Sequence, residues 1–402
     1  MNSKAIIAIA VVAVVAIAGV SAFVLLGDKK GSADYDGSAF NVISRVNSEG
    51  SGIFVSTVTA DTSGDIPTRM SNGTPFWGAN FSLSEANKDA WGGLVFADPG
   101  VSSIQHTQLA SIASQVGLKI AQYTDGTSKS NDTLYYITNL SNYGAIMGQK
   151  ALIDGGIIWE PQYQKVLQEA SSEFMELVLT NDLFDGHTCC IIAANHNWLG
   201  ENKDATEKFL AGYVEAVKFI NNAKVNQTSA DYLWLVDFAV NNIPGLDEAE
   251  VRVALANITY LYADDDNGSL SDLKKDISDL SKNLKDLGVI KETAKFKSSD
   301  ADKFADAFVD DTYIKDVLAD KAKTEGNATV KVAVIAGDIH QLAIHVAKEK
   351  GFFDKYNLTV DISTGSNGGD IATLLLSKDV NIGFLGAPPA TSNTINGDHI
   401  LV

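Results

Sequence analysis

Hydrophobic positions along the chain alternate between short runs of buried-strand type and longer stretches at helical spacing, which predicts layered α/β structure. The clearest unit lies near the C-terminal end. Residues 331–336 (KVAVIA) predict a buried strand, Gly337 and Asp338 a turn, and the residues to about Lys350 a helix whose Ala343, Val346 and Ala347 share one face. Gly351 stands where a helix-ending glycine belongs. A strand at 358–363, a helix opening at Gly369 and Asp370, a strand at 380–385 and a helix after Pro388 and Pro389 complete a β-α-β-α-β-α series. Earlier in the chain, 93–97 predicts a strand, 98–103 a turn, 104–116 a helix, and 156–159 a strand ending at Glu160 and Pro161. Beyond Ile192 the chain reads as mostly helical, with Phe209, Leu210, Tyr213, Val214, Val217 and Ile220 forming one apolar stripe. Leu270, Leu273, Ile277, Leu280, Leu284 and Leu287 repeat like a coiled-coil seam. The run is short, so the expectation is an amphipathic helix docked on a lobe.

The first residues stand apart from this pattern. Residues 5–26 carry no charge and are mostly Ala, Ile and Val, flanked by Lys4 and by Asp28, Lys29 and Lys30. A helix of that length spans roughly 30 Å, which suits an uncleaved anchor better than the shorter core of a signal peptide. Val20, Ser21 and Ala22 would also serve as a cleavage site, so residues 1–30 are read as a membrane anchor or signal segment, and 31–40 as a Gly-, Ser- and Asp-containing tether. The remaining length suits two lobes. A net charge of −19 repels phosphate backbones and excludes nucleic acid as a partner. Nine Asn-x-Ser/Thr sequons, at Asn72, Asn80, Asn131, Asn139, Asn226, Asn257, Asn267, Asn327 and Asn357, suit an exported, glycosylated surface. Cys189 and Cys190, the only cysteines, are neighbours and cannot staple distant segments. On an ordinary strand they point to opposite faces, which makes them poor joint ligands for a metal. They read as small core residues, with a vicinal disulfide as the alternative.

Four loops follow strands and precede helices: Gly337 to Gln341, residues 364–370 (TGSNGGD), residues 386–391 (GAPPAT) and residues 98–106 (DPGVSSIQH). Strand ends of open α/β sheets bind ligands, and helix N-termini offer free amides. One such loop alone is explained by turn geometry and capping; four in two lobes point to a polar cup. There is no Walker A motif, no dinucleotide glycine pattern and no G-x-S-x-G elbow, so no catalytic residue, metal or cofactor is assigned.

GDIHQLAIHVAKEKGFFDKYNLTVDI and DIATLLLSKDVNIGFLGAPPAT, together with VISRVNSEGSGIFVS, DPGVSSIQH, IIWEPQ and HTCCIIAANHNWL, resemble the nitrate/sulfonate/taurine/bicarbonate family of ABC-importer solute-binding proteins. The resemblance implies a two-lobed α/β fold of the type II periplasmic-binding-protein kind, with parallel-type sheets flanked by helices. It implies lobe 1 from 41–60 and 187–402, and lobe 2 from 61–186. In the family the GDIH-to-APPAT part comes first; here it comes last, as in a circular permutation. A truncated tandem copy or an assembly artefact fits less well, because nothing occurs twice. Carried over residue by residue, the ligand would lie against Gly337, Asp338, His340, Ser366, Asn367, Ala387 and Pro388, and against Ser102, Ser103, Trp159 and Glu160. Asn47, Ser48, Glu49, Gly50, Thr188, Cys189, Cys190 and Ile191 would form the hinge. The loops contain no Lys or Arg, whereas Asp338, Glu49 and Glu160 are acidic, which favours a zwitterionic or neutral solute such as an aminosulfonate. The implied role is that of a monomeric, non-enzymatic, extracellular binding component, anchored in the cell membrane and delivering its solute to a permease with a separate ATPase subunit. The alternatives are a membrane-tethered sensor on the same fold and an exported enzyme acting on a small metabolite.

Overall fold

The computed structural model describes residues 34–57 and 88–401. Its strands are β1 (Asp34–Tyr35), β2 (Phe40–Glu49), β3 (Ser51–Ser56), β4 (Val95–Ala97), β5 (Lys119–Gln122), β6 (Thr133–Ile137), β7 (Gly155–Trp159), β8 (Phe174–Leu179), β9 (Thr188–Asn195), β10 (Ile258–Tyr260), β11 (Ala328–Ile335), β12 (Leu358–Gly365), β13 (Ile382–Gly386) and β14 (Ile400–Leu401). They build two six-stranded sheets, in the orders β10-β2-β9-β13-β11-β12 and β5-β6-β4-β7-β3-β8, and one small ribbon of β1 with β14.

Both large sheets are mixed, which corrects the expectation of parallel-type sheets. β11 runs parallel to β12 and β13, but β9 is antiparallel to β13 and β2, and β10 is antiparallel to β2. In the second sheet β4, β5, β6 and β7 are mutually parallel, while β3 is antiparallel to β7 and β8. Apart from β10, the antiparallel pairings involve the strands at the two connections between the sheets, β2 to β3 and β8 to β9. A chain that leaves one sheet through a one-residue step keeps its heading and enters the other as a continuation.

That step is Gly50. Its φ of +83° lies in the left-handed region, which glycine enters without a steric penalty. Gly50 thus stands between β2 of the first sheet and β3 of the second. In β3 the alternation puts Ile53 and Val55 on one face with Phe96, Ile112 and Ile157, and Phe54 on the other with Val95, Ile158 and Tyr163. The second sheet thus has a core on each side.

The first sheet is clothed by the helices that the apolar stripes predict. Phe209, Tyr213, Val217 and Ile220 of the helix Lys203–Val225 are fully buried, and Phe209 and Tyr213 meet Phe384 of β13 edge-on. The heptad-like run forms the helix Ser271–Asp286, whose Leu273, Ile277, Leu280 and Leu284 are buried against the helices Ala301–Phe308 and Ala387–Asn396. It is a docked amphipathic helix. β1 lies within the expected tether and is held in place: Asp34 pairs with Leu401, Tyr35 pairs with Ile400, and the Tyr35 ring stacks on His196 at 3.9 Å. Among the described residues no helix is long and apolar enough to cross a membrane. The run 5–26 lies outside them, as do the sequons at Asn72 and Asn80.

Candidate functional site between the lobes

The most concentrated polar chemistry gathers around Gly50. The Gly50 carbonyl accepts a hydrogen bond from the Glu160 amide at 2.8 Å and lies 3.0 Å from His340 Nε2. His340 Nδ1 lies 2.8 Å from Asp338 Oδ1. Both ring nitrogens face oxygen acceptors, so the geometry suits an imidazolium that donates from each. Burial opposes that charge, but Asp338, Cys189 and Glu160 outweigh it and lift the His340 pKa to about 9.

The turn that carries these groups is held by its own polar atoms. Asp338 Oδ1 also accepts from the His340 amide at 3.0 Å, and Asp338 Oδ2 accepts from Gln341 Nε2 at 3.1 Å. Gln341 Oε1 in turn accepts from the Ile335 amide at 2.8 Å, fastening the turn to β11. Tyr260 donates to the Ile339 carbonyl at 2.7 Å, so β10 supports it from the other side.

Glu160 enters from the second lobe and is fully buried. Its carboxylate accepts from Asn257 Nδ2 at 2.8 Å and from the Gln164 amide and side chain, each at 3.3 Å. Burial pushes this carboxyl above the ordinary glutamate range, against the smaller opposing pull of Asn257, Gln164 and His340. Asn257 ends the helix Glu248–Asn257, which leads into β10 of the first sheet, so this bond joins the two lobes. A second cross-lobe bond runs from Lys165 Nζ to the Gly245 carbonyl at 2.7 Å. Asn257→Ala should cost about 1–3 kcal/mol, because it leaves the buried Glu160 Oε1 with only the longer bond from Gln164; the urea midpoint reads this. Asn257 is also a sequon residue, and in this structure its amide nitrogen is engaged with Glu160.

The residues expected to form the hinge lie around the same place. Asn47 Oδ1 accepts from the Cys190 amide at 3.2 Å and Asn47 Nδ2 donates to the Glu49 carbonyl at 3.2 Å. Thr259 donates to Glu49 Oε2 at 3.2 Å. Ser48 pairs with Thr188 across the ladder, and Ile191 pairs with Arg45 and Leu385. Thr188 Oγ1 accepts from Arg45 at 2.6 Å and donates to Asp276 at 2.5 Å, and Arg45 pairs with Asp264 at 2.7 Å. Arg45 is the cation nearest the hinge that sequence reasoning missed.

The expectation for the cysteines needs correction. Between the pairs Asn47 with Cys190 and Ser48 with Thr188, β2 advances by one residue and β9 by two, so Cys189 is the extra residue of a β-bulge. A bulge breaks the alternation of side chains, and the two sulfurs lie 3.7 Å apart instead of on opposite faces. Both thiols are buried and free.

The remaining expected ligand residues are spread around this centre. Gly337, Ser366 and Asn367 are exposed, while Ala387 and Pro388 are buried at the start of their helix. Asn367 Oδ1 caps the helix Gly368–Leu376 by accepting from the Gly369 and Asp370 amides, so it is committed to structure. Asn367→Ala should lower stability by about 1 kcal/mol, read as a shift in melting temperature. Ser103 Oγ likewise caps the helix Ile104–Gln115, and Ser102 sits in the preceding turn. Asp98 of that loop is taken up by His106 at 2.7 Å and the Gly100 amide at 2.7 Å. Trp159 is half-buried and pairs with Ser51. A cavity of ≈ 210 Å³ opens between Tyr143, Gln162, Lys165, Pro244 and Leu246, and none of the expected ligand residues lines it.

Two mixed α/β sheets joined by two strand crossings fit a periplasmic-binding-like fold. Residues 339–401 match the family described as NMT1/THI5 like, of the bicarbonate/nitrate/sulfonate-type binding proteins. The match opens in the turn that holds His340 and runs into β14. It suggests a solute-binding protein. No curated protein matches the chain.

Proposed function

We propose that the chain is the extracellular solute-binding component of an ABC importer, tethered through residues 5–26, which captures a small zwitterionic or neutral solute by closing two lobes and hands it to a permease served by a separate ATPase. The observation that carries this reading is the convergence of both lobes on one buried polar knot, in which Gly50, Asp338, His340, Glu160 and Asn257 are linked directly. Hinge bending at Gly50 would have to make or break these bonds, which is the behaviour required of a closing cleft. The acidic side chains in the knot, with their single imidazolium, support a ligand that is not a bare anion. The pairing of β1 with β14 supports the permuted order, because it brings residues 34 and 401 side by side, as rejoining the family's order requires.

The test is the melting temperature of the full chain with taurine, alkanesulfonates, nitrate, bicarbonate and pyrimidine precursors in turn. A zwitterionic or neutral solute at a hundredfold excess over its Kd should add about 2.7 kcal/mol of stability. Nitrate raising the melting temperature more than taurine-like solutes would overturn the ligand class, and no response to any solute would count against capture.

A further inference from the structure

The solute-binding reading uses Cys189 and Cys190 only as hinge backbone and gives their sulfurs no part, yet three features converge on them. The bulge on β9 turns both sulfurs to the same side, 3.7 Å apart. The pair sits in the hinge, where the Cys190 amide is held by Asn47 Oδ1. It also faces the charged knot: Asp338 and His340 act electrostatically on Cys189, and Asp338 acts on Cys190 beside the Gln341 side chain.

We infer that Cys189 and Cys190 form a redox-active vicinal dithiol, which a low-molecular-weight disulfide converts to a disulfide between neighbours and which thereby reshapes the hinge. In the first step the Cys189 thiolate attacks one sulfur of the reagent, giving a mixed disulfide and expelling one thiolate. In the second step the Cys190 thiolate attacks the Cys189 sulfur and expels the other half. Two protein thiols are oxidised and one disulfide is reduced to two thiols, the expelled thiolates taking up the two protons that the cysteines give up. Cys189 is suited to attack first: the Cys190 hydrogen bond and the His340 charge favour its thiolate against the opposing effect of burial, whereas Cys190 is pushed the other way. Closing the bond must shorten the sulfur separation to about 2.05 Å within a ring containing a single peptide unit. That twist pulls the Cys190 amide away from Asn47 and distorts the β2–β9 ladder beside Gly50. Such a strained bond is readily reduced again.

The experiment treats the full chain with oxidised glutathione, quenches with acid, and alkylates under denaturing conditions before mass analysis. The expected product has lost two hydrogens, carries no glutathione, cannot be alkylated at either cysteine, and reverts with dithiothreitol. Amide hydrogen exchange at residues 47–50 and 188–191 should be faster in that product. Cys190→Ser should instead accumulate one glutathione on Cys189, which keeps the test valid if the double reaction is slow. Thiols that stay alkylatable, a glutathione adduct that persists on the unmodified chain, or a disulfide that leaves exchange in the hinge unchanged would each overturn the inference. No solute enters any of these measurements, so their failure is separable from failure of the binding reading.

Discussion

Gly50→Ala is expected to lower the stability of the folded chain by about 2–5 kcal/mol, read as a fall in the urea midpoint with little change in slope. Two costs combine. At a φ of +83° an L side chain costs about 1–2 kcal/mol. The added methyl would also overlap His340 Nε2 and come within 2.7 Å of Ile258 Cγ1, and forcing atoms into a packed site costs a further ~1–3 kcal/mol. His340 cannot move away cheaply, because its other nitrogen is held by Asp338. A variant with an unchanged midpoint would mean that the Gly50 carbonyl and the imidazole are not joined as described.

The second large effect is one of pH. Stability against urea should fall as pH rises from about 6.5 to about 8, and His340→Gln should remove most of that fall; above about 8 Lys224, whose pKa burial lowers to about 8, acts in the opposite direction. The His340 pKa is raised from 6.5 to about 9 on folding, so its contribution is complete below 6.5 and is lost as pH rises through about 9. At about 1.4 kcal/mol per pH unit the loss amounts to about 3 kcal/mol. Glu160 acts with the same sign in a lower window: its carboxyl is raised by burial, so the contribution is present below the ordinary value of 4.5 and declines as pH climbs through the raised value. Glu160→Gln should therefore remove this contribution from the acidic part of the profile. A wild-type midpoint that rises between about pH 6.5 and pH 8 would contradict the assignment of an imidazolium.

Much of this architecture is legible in the sequence where period and punctuation agree. KVAVIA followed by Gly337 and Asp338 gives β11 and its turn, because a buried parallel strand is a continuous apolar run. The amphipathic run from Leu273 to Leu284 gives a docked helix for the same kind of reason. What the sequence hides depends on contacts between distant residues. The antiparallel strands around the crossings follow from strand heading, which hydrophobic period does not encode. Asn257 reads as one sequon among nine, and only the folded chain brings it to Glu160. The bulge at Cys189 is a mismatch in advance between β2 and β9, and neither strand alone records it. Asn367 and Ser103, which the resemblance places against the ligand, each sit at a helix start, where the side-chain oxygen caps the helix that follows.

The ribbon of β1 and β14 divides the molecule mechanically. Residues 34 and 401 are zipped together on the first lobe, and the second lobe is spliced in at two points with neither of them attached to it. In the proposed closure the first lobe would act as a stator and the second as a rotor. A fluorophore pair placed near residue 34 and on the helix Ile104–Gln115 would register the swing, whereas one placed near residues 34 and 401 would stay silent throughout the same stroke.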